Sequence, residues 1–217
     1  MESPPRSSWR QWRSDDRVIR PALLWCDQRA ARQCEALTDR LGGLDALLAL
    51  SNNRTLPGFT GGKFLWLAEH EPAVTARLRR FLNPKDFLRL RMTGVHATDV
   101  SDASGTGLFD VRRRRWSPPL LAAVGLDEAQ APPVFESHEI AGRLSPEVAA
   151  RWGLPAGTPV VAGGGDSVMQ TTSMGVVEAG SVGTTIGAAG IVGGAARVCP
   201  ENSGGRLQIS CGNAPDR

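Results

Sequence analysis

Apolar residues in the first ninety positions recur at helical spacing between short polar breaks, a pattern that predicts several short helices. Residues 28–40 form the first, with Asp27 as its cap and Gly42-Gly43 as its stop. Residues 44–50 form a second, and Thr60 precedes a third over 63–69. An amphipathic stretch over 72–81 continues as another, and Pro84 starts one that runs to Met92 and stops at Gly94. Ahead of them, Val18-Ile19 and Ala22-Leu23-Leu24-Trp25 make an apolar run that reads as a strand or a buried turn.

The texture then changes. Residues 97–106 are rich in serine and aspartate and read as turns, and 107–111 can pair as a strand. Residues 117–124 predict a helix with Pro118 near its first turn. Another starts at Ser145, with Pro146 and Glu147 in its first turn, and ends at Gly153. Pro159-Val160-Val161-Ala162 predicts a buried strand by its β-branched content. Gly163-Gly164-Gly165-Asp166 follows, then a helix or turn to Met174. Residues 178–217 alternate glycine with Val, Ile and Thr, as β-hairpins do, and residues 1–14 have no period and read as an irregular extension. Helices mixed with short strands make an α/β protein without internal repeats.

Composition narrows the class. The 217 residues, 41% hydrophobic and 22% charged, suit one large globular domain or two small ones. No apolar run approaches the roughly 18 residues of a membrane span, so no membrane partner is expected. No apolar stretch follows Arg6, Arg10 and Arg13, so no secretory signal is expected and the location implied is cytoplasmic. A net charge of +3, from 25 basic and 22 acidic residues, argues against the concentrated basic face that nucleic acid needs. Cys26, Cys34, Cys199 and Cys211 form no C-x-x-C pair, and the three histidines are too few to complete a zinc site. Reduced thiols are the expectation.

Most short motifs fail on spacing. Gly61-Gly62-Lys63 is followed by Phe64, so there is no Walker-type phosphate loop. Gly183, Gly187 and Gly190 do not fit G-x-G-x-x-G. A calcium loop starting at Asp102 would place Arg113 where a bidentate glutamate is required. Arg112 to Arg115 reads as a solvated turn after a strand. Two features survive. Three glycines before Asp166 let a substrate approach the backbone at a strand's end, where α/β proteins place ligands; the competing reading makes Asp166 the cap of the next helix. The stretch from Gly183 through Thr184, Thr185 and Gly187 can cradle phosphate on exposed N–H groups, or it is an ordinary hairpin.

Taken in order, these pieces resemble the FGGY family of carbohydrate kinases, most closely its xylulose-specific branch. Gly58-x-Thr60-x-x-Lys63-Phe64-x-Trp66-Leu67-x-Glu69-His70 fits that family's N-terminal signature. Around it stand Arg20-Pro21-Ala22-Leu23-Leu24-Trp25-x-Asp27-x-Arg29, Pro84-Lys85-Asp86, Ala97-Thr98-Asp99-Val100-Ser101-Asp102-Ala103-Ser104-Gly105-Thr106 and Gly163-Gly164-Gly165-Asp166. Five blocks agree in order and spacing, from about residue 15 onward.

The resemblance implies an actin- and hexokinase-like (ribonuclease H-like) fold of two α/β lobes, present here in part. Residues 15–177 would be part of the N-terminal sugar-binding lobe, and 178–217 the start of the C-terminal ATP-binding lobe. It further implies transfer of the ATP γ-phosphate to D-xylulose with Mg2+, the sugar and ATP being the partners and a homodimer left open. Asp166 would be the base, joined by Ser167 and Trp25 at the sugar and by Gly183, Thr184, Thr185 and Gly187 at the phosphates, with no metal ligand assigned. A carboxylate suffices as base, because in a loose transition state the proton leaves late and positioning outweighs base strength. The sequence departs from the family at Ser167, where Asn or Gln is usual, at Ala188-Ala189, where hydroxyls are usual, and at Cys26, where asparagine is common. It matches the middle of the family's length and lacks the first phosphate hairpin and most of the adenosine lobe, so the 217 residues alone are expected to be inactive. A kinase of another ketose or polyol, or a non-catalytic sugar-binding remnant, are the alternatives.

Overall fold

A computed structural model describes residues 16–187 and 190–214. The extension over 1–14 and the Ala188-Ala189 pair therefore lie outside the described residues. The first half is helical: α1 (Ala31–Arg40), α2 (Leu44–Ser51), α3 (Thr60–His70), α4 (Pro72–Thr75) and α5 (Pro84–Thr93). Then β1 (Thr98–Asp99), α6 (Val100–Ser104), β2 (Phe109–Asp110), β3 (Arg115–Trp116) and α7 (Pro118–Ala123) follow. The second half carries β4 (Val134–Phe135), β5 (Ile140–Arg143), α8 (Pro146–Trp152), β6 (Pro159–Val161), α9 (Asp166–Ser173), β7 (Val182–Ile186) and β8 (Gly190–Gly194). Strands pair two by two: β1 with β4 in parallel, and β2 with β3, β5 with β6 and β7 with β8 antiparallel.

The main core gathers Leu37 of α1, Leu47 of α2, Phe64 and Leu65 of α3, and Leu120 and Leu121 of α7 around Leu108. An edge-to-face aromatic series, Phe64–Phe81–Trp116–Phe109, runs from it at centroid distances of 5.2, 5.4 and 5.5 Å. It ends in a second cluster of Val100, Ala103, Phe109, Val111 and Cys211. Helices α1 and α3 meet closely because Gly62 has no side chain: a Cβ there would collide with Cys34 Sγ and sit 3.3 Å from the Ala30 carbonyl.

Several expected elements change. The 18–25 run is neither a strand nor buried; Val18, Leu24 and Trp25 are 66%, 61% and 82% exposed. Helix α1 starts three residues late, because Asp27 accepts from the Arg29 N–H at 3.0 Å and from its guanidinium at 2.8 Å and caps nothing. The helix expected over 72–81 stops at Thr75. Its later backbone is claimed from outside: Gln130 O accepts from the Phe81 N–H at 3.2 Å, and Gln130 Nε2 donates to Leu78 O at 2.9 Å. Within 97–106, residues 98–104 are a largely buried strand and helix, and only 105–106 are the turn expected. Strand β6 forms as expected but is not buried, with Val161 47% exposed; only Ala162 after it is. The 112–115 stretch is the exposed turn after β2 that was expected, with added ties: Arg112 donates to Leu48 O and Asn52 Oδ1, Arg113 pairs with Asp110, and Arg114, at φ 51°, pairs with Glu136.

Beyond the β7–β8 hairpin the chain is irregular and packs back on the first half. Asn52, left-handed at φ 62° and closing α2, donates to Pro200 O at 2.9 Å. Asn53 exchanges two bonds with the Ile209 backbone, at 2.7 and 2.8 Å. Asn202 donates to Asn52 O at 2.8 Å and bridges Leu207 N and O.

Candidate active site

The three glycines and Asp166 turn the chain from β6 into α9. Gly163 is at φ +83°, a left-handed conformation that glycine adopts without strain. Backbone bonds hold the approach: Ala162 N–H donates to Glu139 O at 2.9 Å and Gly163 N–H to Ser137 O at 3.0 Å. Arg89 Nη1 donates to Ala162 O at 2.5 Å. At the far end, Gly165 N–H donates to Ser101 Oγ at 2.9 Å. Helix α9 then begins, with Gly165 as N-cap and Asp166 first.

Asp166 and Ser167 are both exposed. Among the described residues, Asp166 Oδ1 accepts from its neighbour's Ser167 N–H alone, at 2.7 Å, and the carboxylate stands exposed at the first turn. An anionic group is favoured at that end of a helix.

Behind the glycines lies a charged cluster that the sequence reading quoted but gave no role. Asp99 is fully buried. Its Oδ2 accepts from Ser101 N at 2.8 Å, Asp102 N at 3.4 Å, Ser137 Oγ at 2.8 Å and the Ser101 hydroxyl. Its Oδ1 faces Lys85 Nζ at 2.8 Å. Lys85 also meets Asp86 at 2.6 Å and Asp102 at 3.5 Å, and Arg89 meets Asp86 at 3.0 Å. Burial alone disfavours the Lys85 ammonium, but the Asp86 and Asp99 carboxylates outweigh it and hold its pKa above the ordinary lysine value. Burial raises the Asp102 pKa, with Lys85 opposing. Pro84-Lys85-Asp86 and the aspartate-serine run over 99–102 were legible as blocks; that they meet under the glycines was not.

The other expected site residues sit apart. Trp25 projects from a turn whose backbone is held by Lys63, which is buried and donates to Leu24 O and Gly58 O, each at 2.7 Å. Burial lowers the Lys63 pKa. In the hairpin, Gly183 and Gly193 are paired: a Cβ on Gly183 would lie 2.9 Å from Val176, just past α9, and one on Gly193 3.4 Å from Thr171 of α9. By strand alternation Thr185 shares the Gly183 face and Thr184 the open one. Gly187 at the tip has open space around it. The depression of about 290 Å³ between Arg29, Gln33 and Trp66 and that of about 560 Å³ beside Arg80 and Trp116 are both away from Asp166.

No group of three or more His, Cys, Asp or Glu among the described residues can hold a metal ion. Asp86, Asp99 and Asp102 are gathered, but around the Lys85 ammonium and the Arg89 guanidinium, which already occupy the space between them. Among the described residues these carboxylates do not make a Mg2+ site.

Comparison with known proteins places this arrangement. Residues 6–173 match the N-terminal domain of the FGGY family of carbohydrate kinases. The chain belongs to that family. It is 43% identical to the xylulose kinase of Escherichia coli (strain K12) over 178 residues, 82% of this chain and 36% of that protein. It is 42% identical to the xylulose kinase of Bacillus subtilis (strain 168), over 82% of this chain and 35% of that protein. The structure aligns with the xylulose kinase of Brucella ovis at TM-score 0.88 and 37% identity, covering 94% of this chain and 41% of that one. With the Rhodospirillum rubrum xylulose kinase the values are 0.86 and 26%, over 92% and 40%. The chain thus spans about two fifths or less of the length of these relatives, and its fold is part of the actin- and hexokinase-like sugar-kinase fold. No helix among the described residues is long and apolar enough to cross a membrane.

Proposed function

We propose that this chain is the sugar-binding part of an ATP-dependent kinase that phosphorylates D-xylulose to D-xylulose 5-phosphate, with Asp166 as the base. The observation that carries it is the exposed Asp166 carboxylate at the start of α9, behind a glycine turn held at both ends, in a chain 43% identical to a xylulose kinase. Without side chains at 163–165 a sugar can reach the backbone, so its attacking hydroxyl can donate to Asp166. The carboxylate takes the proton as the sugar oxygen bonds to the γ-phosphorus of ATP and the bond from that phosphorus to ADP breaks, and fixed placement of the carboxylate lowers the barrier. Ser167 follows at once and offers a hydroxyl to the sugar; Trp25, on a separate turn held by Lys63, is assigned to the sugar by the family resemblance alone.

Residues 15–177 make the sugar-binding lobe in this reading, and 178–217 begin the nucleotide lobe, with Thr184 and Gly187 open to the phosphates and Thr185 on the strand face where Gly183 packs against Val176. ATP is then a substrate whose adenosine end this chain does not hold, and the 217 residues by themselves bind sugar without turning it over.

Titration of the 217-residue chain with D-xylulose, followed by amide NMR, tests the reading. Saturable shifts at Gly163 through Ser167, lost in Asp166→Ala, are expected, with ADP release from Mg-ATP far below the ordinary range of about 1–10³ per second. Saturable shifts confined to other regions, or none at any sugar concentration, contradict it.

A further inference from the structure

The Gly165 amide can only donate, so Ser101 Oγ must accept from it, and the single Ser101 hydroxyl proton must go elsewhere. It goes to Asp99 Oδ2, which also takes the Ser101 N–H, the Asp102 N–H and the Ser137 hydroxyl. Each of these partners donates to Asp99 Oδ2, so that oxygen is an acceptor throughout. A carboxylate with no exposed surface needs a counter-charge, and Lys85 Nζ supplies it at 2.8 Å. The direction of each bond is thus fixed from Lys85 through Asp99 and Ser101 to Gly165, the residue before Asp166. The other end of the turn is tied to the same cluster, since Arg89 reaches both Ala162 O and Asp86, and Lys85 lies 3.5 Å from Ala162 O.

We propose that Ser101 is a positioning residue for Asp166, its hydroxyl oriented by Asp99 and Lys85 so that the Gly165 backbone, and with it the first turn of α9, has one place to stand. This rests on the reading of Asp166 as the base. None of the three residues is placed against the sugar; they act through the backbone of the glycine turn. The glycine turn packs closely on this cluster: a Cβ on Gly164 would stand 2.8 Å from Met169 Sδ and 3.3 Å from Ser101 Oγ, and one on Gly165 would touch Asp102 Cα at 3.5 Å.

The test compares the 217-residue chain with Ser101→Ala and with Ser101→Thr, which restores a hydroxyl. Loss of one buried hydrogen bond should speed amide exchange at Gly165 and Met169, whose N–H donates to Gly165 O, by about tenfold. Amides in α1 and α3 should stay within about twofold. The side-chain carboxyl signal of Asp166 should shift in Ser101→Ala and return in Ser101→Thr. Saturable binding of D-xylulose should weaken along with it. Uniform acceleration across α1, α3 and α9 would mean that Ser101 serves stability alone and would overturn the proposal, as would an unmoved Asp166 signal. If Lys85→Met and Ser101→Ala both leave Gly165 exchange unchanged, the relay itself is refuted. The local pattern without any xylulose-induced shift in the parent chain supports the relay and refutes the sugar reading, so the two fail separately.

Discussion

Gly62 lies in the first turns of α3 where a helix ordinarily prefers alanine, and its cost there is offset by the contact it permits. Gly62→Ala should lower stability by about 1–2 kcal/mol net, the overpacking against Cys34 and the Ala30 carbonyl exceeding the gain in helix propensity. For a chain of this size that is a fall in Tm of about 2–8 °C by calorimetry, and adding Cys34→Ala should return part of it. Cys34 itself is pushed up to about pKa 11 by burial, and burial raises Cys211 as well. Iodoacetamide at pH 8 should therefore label exposed Cys26 first and reach Cys34 and Cys211 only on unfolding, as peptide mass mapping would show. Asp102 carries a sharper sign. Burial raises its folded pKa above its unfolded one, so its contribution is fully present below the unfolded value and lost as pH rises through the folded one. Asp102→Asn should then be more stable than the parent at pH 7, the difference vanishing below about pH 4. Equal Tm at both pH values would refute it.

Elements were legible where the local signal and the tertiary partner agree. Ser145, Pro146 and Gly153 bound α8 as the sequence implies: Ser145 caps Val148 N at 3.3 Å and Gly153 is left-handed. Pro84 and Gly94 bound α5 in the same way. The failures have physical causes. Serine and aspartate over 97–106 look like turn chemistry, but the same side chains cap and bury a helix when a strand precedes it, as Asp99 does for α6. The 72–81 pattern is amphipathic, yet Gln130, fifty residues on, takes the backbone groups a helix would use. In the candidate site, the glycine turn into a helix at Asp166 was legible from the sequence, while the Lys85–Asp99–Ser101 relay to Gly165 joins segments whose meeting no local period encodes. The segment over 195–214 was likewise read as hairpin, and it is instead an irregular strap held by side-chain amides. Asn202, 3% exposed, makes three of those bonds. Asn202→Ala should cost about 1–3 kcal/mol, because it leaves buried backbone groups unpaired. Limited proteolysis should then cut within 195–214 before it cuts α1 or α3.

At the scale of the molecule, two features stand together. A helical core holds a charged cluster under a glycine turn, and a hairpin leaves Val182, Ile186, Ile191 and Val192 at least half exposed. The chain covers about two fifths or less of its relatives, so the claim that ties these features into one function is that Asp166 takes a proton from a sugar hydroxyl. The direct measurement replaces the matched 178 residues of the Escherichia coli relative with this chain's own and follows ADP release with D-xylulose and Mg-ATP. A chimera with native circular dichroism should turn over, and Asp166→Asn in it should lower the rate by about 10²–10⁴-fold while the fold and xylulose binding persist. Turnover by the Asp166→Asn chimera within about threefold of its parent would contradict the account, since a residue that only starts a helix changes stability and not chemistry.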